Sequence, residues 1–235
     1  MIPAFNEAAR LPRTLERIIA FLEQSSYREP EIIAVDDGSR DDTPARAGSF
    51  ADRFPCLRVL RNVQNRGKGY SVRHGMLEAR GDWILFTDAD LSTPIEEIAK
   101  LREAADKAGA AVAIGSRALD RRLIETRQSA MRELSGRAFN RFMRWMTGLP
   151  IQDSQCGFKL YRRDAAQAIF KRQILDGFSF DVEDLVIAKA LGIAVVETPV
   201  RWANVEGTKV SLAQGARSFA DVVRIRTWQL QGRYR

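Results

Sequence analysis

Histidine is almost absent from this chain of 235 residues: His74 is the only one. A Ser-His-Asp triad would have to be built on it, and a histidine-based zinc site needs more ligands than His74 and two scattered cysteines offer. His74 lies inside "RGKGYSVRHGM", where helical spacing reads it as a packing or surface side chain. Cysteine is equally scarce. Cys56 and Cys156 lie far apart in sequence and suggest no disulfide framework, which suits a reducing cytoplasm. No apolar run reaches the length of about eighteen residues that a membrane-spanning helix needs. No basic patch at the N-terminus leads into an apolar stretch, so no secretory signal is expected.

What the chain does have is a 45% apolar share, enough for the core of one α/β domain, and a net charge of +7 that is unevenly spread. From Arg117 to Arg144 eight arginines face three acids, and from Arg217 to Arg235 five arginines face one. These two segments carry the whole excess, which points to a localised anionic partner: nucleic acid, anionic lipid or a phosphorylated small molecule.

The first half alternates apolar runs with amphipathic stretches. "LPRTLERIIAFLEQ" places Leu11, Leu15, Ile18, Ile19 and Leu22 on one helical face. "EIIAVDD", "LRVLRN", "DWILFTD" and "AAVAIGSR" read as strands. "RGKGYSVRHGMLEARG" reads as a helix opened by glycine, and "PIEEIAKLREAADKAG" as one with proline in its first turn and Gly109 past its end. Strand–helix alternation with short connections predicts a Rossmann-like, mostly parallel sheet flanked by helices, with its site at the carboxyl ends of the strands. Asp36, Asp37, Asp88, Asp90 and Arg117 all fall at such ends. In the second half, "MRELSGRAFNRFMRWMTG" predicts a helix with Met131, Leu134, Ala138, Phe142 and Trp145 interleaved with arginine. "CGFKLYRR" predicts a strand and a short helix, "FDVEDLVIAKALG" a helix, "AVVETPVRW" an extended segment, and the tail from Gln214 a further helix.

The pair Asp88 and Asp90 in "FTDADLSTP" ends a strand, and carboxylates at i and i+2 of an extended chain point the same way, alpha carbons about 6.6 Å apart. A hard cation such as magnesium accepts one or two protein carboxylates and leaves its remaining positions to phosphate and water. In "AVDDGSRDDT", Asp36 and Asp37 could accept hydrogen bonds from a base or ribose, whereas Asp41 and Asp42 read as turn and cap residues.

"IPAFNEA", "VDDGSRDDT", "NRGKGYSVRHGM", "FTDADLSTP" and "GSR", in this order, resemble the nucleotide-sugar-binding half of GT-A fold glycosyltransferases of family 2. The likeness continues through "DSQCGFKLYRRDAA", "FSFDVEDL" and "VRWANVEGTKV", which look most like dolichyl-phosphate β-glucosyltransferases, with dolichol-phosphate mannose synthases next. The resemblance implies a single domain: residues 1–120 bind the nucleotide sugar, and 121–235 form an acceptor half with the basic helix and C-terminal tail. It implies that Pro3, Phe5 and Glu7 border the nucleoside, that Asp36 and Asp37 read base and ribose, and that Lys68 and Ala89 contact the donor. Asp88 and Asp90 would hold Mg2+ or Mn2+. Arg117 and Lys209 would hold phosphates, Arg132 the acceptor phosphate, and Asp181 and Glu183 would face the sugar. The implied reaction is inverting transfer of a hexose, glucose from UDP-glucose, to a polyprenyl phosphate. A GDP-mannose donor, a soluble glycan acceptor and a non-catalytic nucleotide-sugar binder are the alternatives.

A lipid phosphate has a second pKa of about 6 and is already an anionic nucleophile at neutral pH, so no strong base is required. Arg132, Arg137, Arg141 and Arg144, interleaved with Phe139, Phe142, Met143 and Trp145, fit either an interfacial helix on an anionic membrane or an ordinary amphipathic helix with its aromatics inside. A nucleic-acid module would use the same basic segments, but the acidic rim argues against it, and no nucleic-acid partner is expected. Relatives enter "IPAFNE" through a full strand, so the first strand here is expected to be a stub. With no membrane helix in the sequence, the expected place is the cytoplasmic face of a membrane, held peripherally.

Overall fold

The computed structural model describes residues 1–126, 129–205 and 212–235, with the side chains of 130, 132, 212–214 and 216 outside the description. Strand β1 (Ile2–Ala4) is the expected stub; α1 (Leu11–Glu23), β2 (Ile32–Asp36), α2 (Thr43–Gly48) and β3 (Leu57–Arg61) follow. Next come α3 (Lys68–Glu78), β4 (Trp83–Thr87), α4 (Ile98–Ala108) and β5 (Val112–Ser116). The second half holds β6 (Ile124–Thr126), α5 (Ala130–Thr147), β7 (Phe158–Arg162), α6 (Arg163–Phe170), α7 (Phe180–Ala190), β8 (Val195–Pro199), β9 (Trp202–Ala203) and α8 (Leu212–Leu230).

Strands β1, β2 and β3 pair in parallel, and a second group runs β4-β7-β5-β8. Met1 joins the two: its nitrogen donates to Leu85 O (2.8 Å), and Thr87 N donates to Met1 O (3.1 Å), the slanted pattern of a parallel ladder. The spatial order is therefore β3-β2-β1-β4-β7-β5-β8. Only β7 runs against its neighbours. All five residues of β2 are buried, as an interior parallel strand between helical layers requires.

Leu11, Leu15, Ile18 and Ile19 bury the inner face of α1, at roughly 1.5–3 kcal/mol each, while Leu22 stays half-buried at its margin. The largest core joins both halves of the chain, with Ile33 and Val72 packed in the same cluster as Phe139, Tyr161 and Ile225. No helix among the described residues is long and apolar enough to cross a membrane.

Helix α5 divides its apolar residues between the core and the surface. Its core stripe is Phe139 and Met143, whereas Met131 (75% exposed), Leu134 (69%) and Trp145 (77%) point outward. The helix carries two apolar stripes, and α8 covers one: Phe219 meets Phe139 edge to face and Phe142 at a tilt, with ring centres 5.3 Å away in each case. Phe219, Val223 and Leu230 of α8 are themselves exposed.

Candidate active site

The carboxyl ends of β1, β2, β4 and β5 and the start of β7 meet on one rim of the sheet. After β4 the chain turns sharply: Leu91 N donates to Asp88 O (3.2 Å), and Leu91 takes a φ of 48°, the left-handed region that a branched side chain rarely adopts. Thr14 of α1 fixes this turn by donating to Ala89 O (2.7 Å), and Ala203 N anchors its far side on Ser92 O (2.9 Å). Ala89 is thus buried, its carbonyl serving as a support.

Asp88 lies between two walls. On one side Lys68 Nζ pairs with its Oδ1 at 2.7 Å. On the other stands Gly157, where a Cβ would come within 2.0 Å of Asp88 Oδ2. The glycine of "DSQCGFKLY" is therefore the space that Asp88 occupies. Asp90 is half-buried, and its Oδ1 accepts from Ser92 N (3.0 Å). Burial, and then the neighbouring Asp88 carboxylate, push the Asp90 pKa upward. Burial is the larger cause; the Ser92 hydrogen bonds and the Arg10 charge oppose the rise.

Lys68 opens α3. Its backbone is fixed by Gly67, at φ 108°, where any Cβ would stand 2.4 Å from Asp176 O. Its ammonium lies 5.3–5.9 Å from the ring centres of Phe86, Phe178 and Phe180. Burial opposes its charge, but Asp88, Asp181 and Asp90 outweigh that and raise its pKa. Behind it, the fully buried Lys159 donates to Asp181 Oδ1 (2.7 Å) and Asp184 Oδ2 (3.2 Å), and Tyr161 OH donates to Asp184. Burial lifts the Asp184 pKa to about 6. Lys68 and Lys159 thus stand among four aspartates, Asp88, Asp90, Asp181 and Asp184, on this side of the rim.

Asp88 and Asp90 supply hard oxygen donors, and no cluster of three or more His, Cys, Asp or Glu side chains forms among the described residues. That donor set fits Mg2+ or Mn2+ completed by phosphate and water, and does not fit a closed all-protein cage.

Several expected contacts have other tasks. Glu183 is wholly buried: it accepts from Ile174 N (3.0 Å), Leu175 N (2.8 Å) and Tyr234 OH (2.9 Å), tying the C-terminus to the loop before α7. Asp181 is also buried and is held by Lys159, and its charge helps to raise the Lys68 pKa. Arg117 does not offer a free fork to phosphate. Its Nε and Nη2 each donate to Asp153 at 2.7 Å, its backbone N–H donates to the same carboxylate (2.9 Å), and Trp202 lies 5.4 Å from its guanidinium.

Asp37, nearly buried, accepts from Asn62 Nδ2 (2.8 Å), Arg66 N (3.0 Å) and Gly67 N (2.8 Å), which fixes the loop that delivers Lys68. Asp36 accepts from Ser39 N (3.2 Å) and pairs with Arg61 (3.3 Å). Pro3 is buried in β1, Phe5 is half-buried at its end, and Glu7 is gripped by Arg10 through two 2.7 Å bonds. His74 meets Asn62 Oδ1 at 2.9 Å, as a packing residue would. The side chain of Arg132 and the whole of Lys209 lie outside the described residues.

Sequence reasoning missed Arg10, Asp153 and Gly157. Glu7 holds Arg10 and raises its pKa, and the Asp90 and Asp88 charges add to that, which places this guanidinium in the field of the rim. Its only signal was the i, i+3 spacing of Glu7 and Arg10.

The family model described as Glycosyl transferase family 2 matches residues 1–170. The chain is similar to a dolichyl-phosphate β-glucosyltransferase of Drosophila melanogaster, 39% identical over 224 residues, covering 90% of this chain and 68% of the relative. A human protein of the same name is 35% identical over 248 residues, covering 100% and 76%. Among solved structures, mannosyl-3-phosphoglycerate synthase from Rubrobacter xylanophilus superposes with a TM-score of 0.70 at 18% identity, over 99% of this chain and 74% of that one. Glucosyl-3-phosphoglycerate synthase from Mycobacterium tuberculosis, in complex with Mn2+, UDP-glucose and phosphoglyceric acid, gives 0.68 at 19%, over 96% and 78%. These structures share the fold, and the sequence matches go further: the chain belongs to glycosyl transferase family 2.

Proposed function

We propose that this chain transfers glucose from UDP-glucose to the phosphate of a polyprenyl lipid with inversion at the anomeric carbon. The observation that carries the reading is the likeness to dolichyl-phosphate β-glucosyltransferases along 90–100% of the chain, at 35–39% identity in the fly and human relatives. The rim supports it. Residues 1–120 would hold the donor, with Asp36, Asp37, Pro3, Phe5 and Glu7 shaping the nucleoside end, and Lys209 would contact its diphosphate. Asp88 and Asp90 would hold Mg2+ or Mn2+, which stabilises the charge growing on the departing diphosphate. Lys68 and Arg10 add fixed positive charge to the same space.

Residues 121–235 would receive the acceptor. A groove of about 930 Å³ lies between α5 and the loops after β5 and α5, lined by Arg121, Arg137, Arg141 and Arg144 with Trp145. Its lining includes Ala118 and Gln152, the sequence neighbours of the paired Arg117 and Asp153. These arginines, with Arg132 at the start of the helix, would screen the acceptor phosphate as it nears the donor. Two anions are brought together, and the acceptor needs no strong base because it is already ionised. The exposed stripes of α5 and α8, apolar side chains flanked by Arg137, Arg141, Arg144 and Arg224, would rest on an anionic membrane surface.

The test offers short-chain polyprenyl phosphate or phosphoglycerate as acceptor, with labelled UDP-glucose, UDP-GlcNAc or GDP-mannose, with and without a chelator. Lipid-linked glucose alone is expected. It should vanish on chelation, return with Mg2+ or Mn2+, and fall by about a hundredfold or more in Asp90→Asn. Transfer to phosphoglycerate, or turnover indifferent to chelation, refutes the reading.

A further inference from the structure

We propose that Lys68 is a built-in rival of the divalent cation for Asp88, and that it passes to the donor's diphosphate as the donor arrives, so that cation and donor bind as a coupled pair. This inference rests on the cation site of the reading above.

The Lys68–Asp88 bond is 2.7 Å long, and the two side chains keep 20% and 34% of their exposure, so the pair sits at the surface of the rim and can open. Asp88 has little freedom to serve two cations. It cannot swing toward β7 without losing the space above Gly157, and its other flank is the ammonium itself. A doubly charged ion on Asp88 would therefore meet Lys68 at close range, and like charges a few ångströms apart in a partly buried site repel strongly.

Lys68 can move while its backbone cannot. Gly67 locks the start of α3 against Asp176 O, whereas the lysine stem is four carbons long and runs among the rings of Phe86, Phe178 and Phe180. What Lys68 lacks on leaving Asp88 is another anion on the open side of the rim. A donor diphosphate supplies that anion and ligands for the ion together. Each ligand then removes the cost that the other would meet alone, and by linkage the effect is reciprocal.

Binding measures this directly. Mn2+ is titrated into the full chain and followed by electron paramagnetic resonance, with and without UDP, for the wild type, Lys68→Met, Lys68→Gln, Lys68→Arg and Asp88→Asn. The wild type is expected to bind Mn2+ at least about tenfold more tightly with UDP than without. Lys68→Met should bind Mn2+ without UDP about tenfold more tightly than the wild type, and the gain from UDP should shrink by the same factor. Lys68→Gln keeps a hydrogen-bond donor for Asp88 and guards against a folding defect; it should behave as Lys68→Met does. Lys68→Arg, which keeps the charge, should follow the wild type. Mn2+ uptake that needs Asp88 but is no tighter in either uncharged variant overturns the coupling and leaves the proposed function standing. Uptake that Asp88→Asn does not alter overturns both.

Discussion

Replacing Gly157 by alanine inserts one methyl group against Asp88. The new carbon would lie 2.0 Å from Oδ2, 2.4 Å from Cγ and 2.8 Å from Oδ1. Carbon–oxygen contacts start at about 3.3 Å, so the nearest oxygen must retreat by more than an ångström. Lys68 occupies the opposite flank, and the retreat also disturbs the 2.7 Å pair. A misplacement of this size at a reacting centre costs about a hundredfold in turnover. Stability should scarcely change. Gly157 does not sit at a positive φ, its carbonyl still accepts from Asp88 N, and the clash falls on the partly exposed end of a side chain. The assay pairs glucosyl transfer to short-chain polyprenyl phosphate with thermal unfolding. A double variant separates the cause: in an Asp88→Ala background the Gly157→Ala change should add nothing further. A Gly157→Ala enzyme within about threefold of wild type, or an additive double variant, would refute the packing argument.

Two further outcomes follow from the same geometry. Burial would raise the Asp153 pKa, but Arg117 outweighs it and holds the carboxyl below the ordinary range. Its folded-state stabilisation is present above the unfolded value of about 3.9 and is lost as pH falls through the lower folded value. In urea unfolding, Asp153→Asn should therefore be less stable than wild type by about 3–5 kcal/mol at pH 7, with the gap narrowing below about pH 4; a gap constant across that range counts against the pair. Met131→Glu with Leu134→Glu, on the outer face of α5, should weaken co-sedimentation with anionic vesicles by about tenfold while transfer to short-chain polyprenyl phosphate offered without vesicles persists. Unchanged vesicle binding would remove the membrane from the proposal.

The order of elements was legible because the signals are local. Apolar spacing in α1, Gly109 after α4 and the acidic ends of β2 and β4 each announce themselves within a few residues. What lay beyond reach was which charge each charged residue answers to. Lys68 meets Asp88, Arg117 meets Asp153 and Glu183 meets Tyr234 across gaps of 20, 36 and 51 residues. A sequence gives the donor and acceptor types, but the pairing depends on how strands are brought side by side. A motif marks Glu183 and Arg117 as special without naming the protein groups that hold them. Helix α5 was foreseen as a helix, with two dispositions of its apolar residues left open. Its second apolar stripe has the periodicity of a core face, and only the position of α8 decides which stripe is covered.

The reversed direction of β7 has an effect on how this protein can vary. In a parallel strand the segment that follows arrives at the working edge, but here it is the preceding segment, ending in Gly157, that does so. Insertions or loop exchanges between Thr147 and Phe158 would be felt at once by Asp88, some sixty positions earlier in the chain. The other end of β7 is spoken for as well: Arg163 N donates to Asp82 O (2.9 Å), so the strand is fixed at both of its ends.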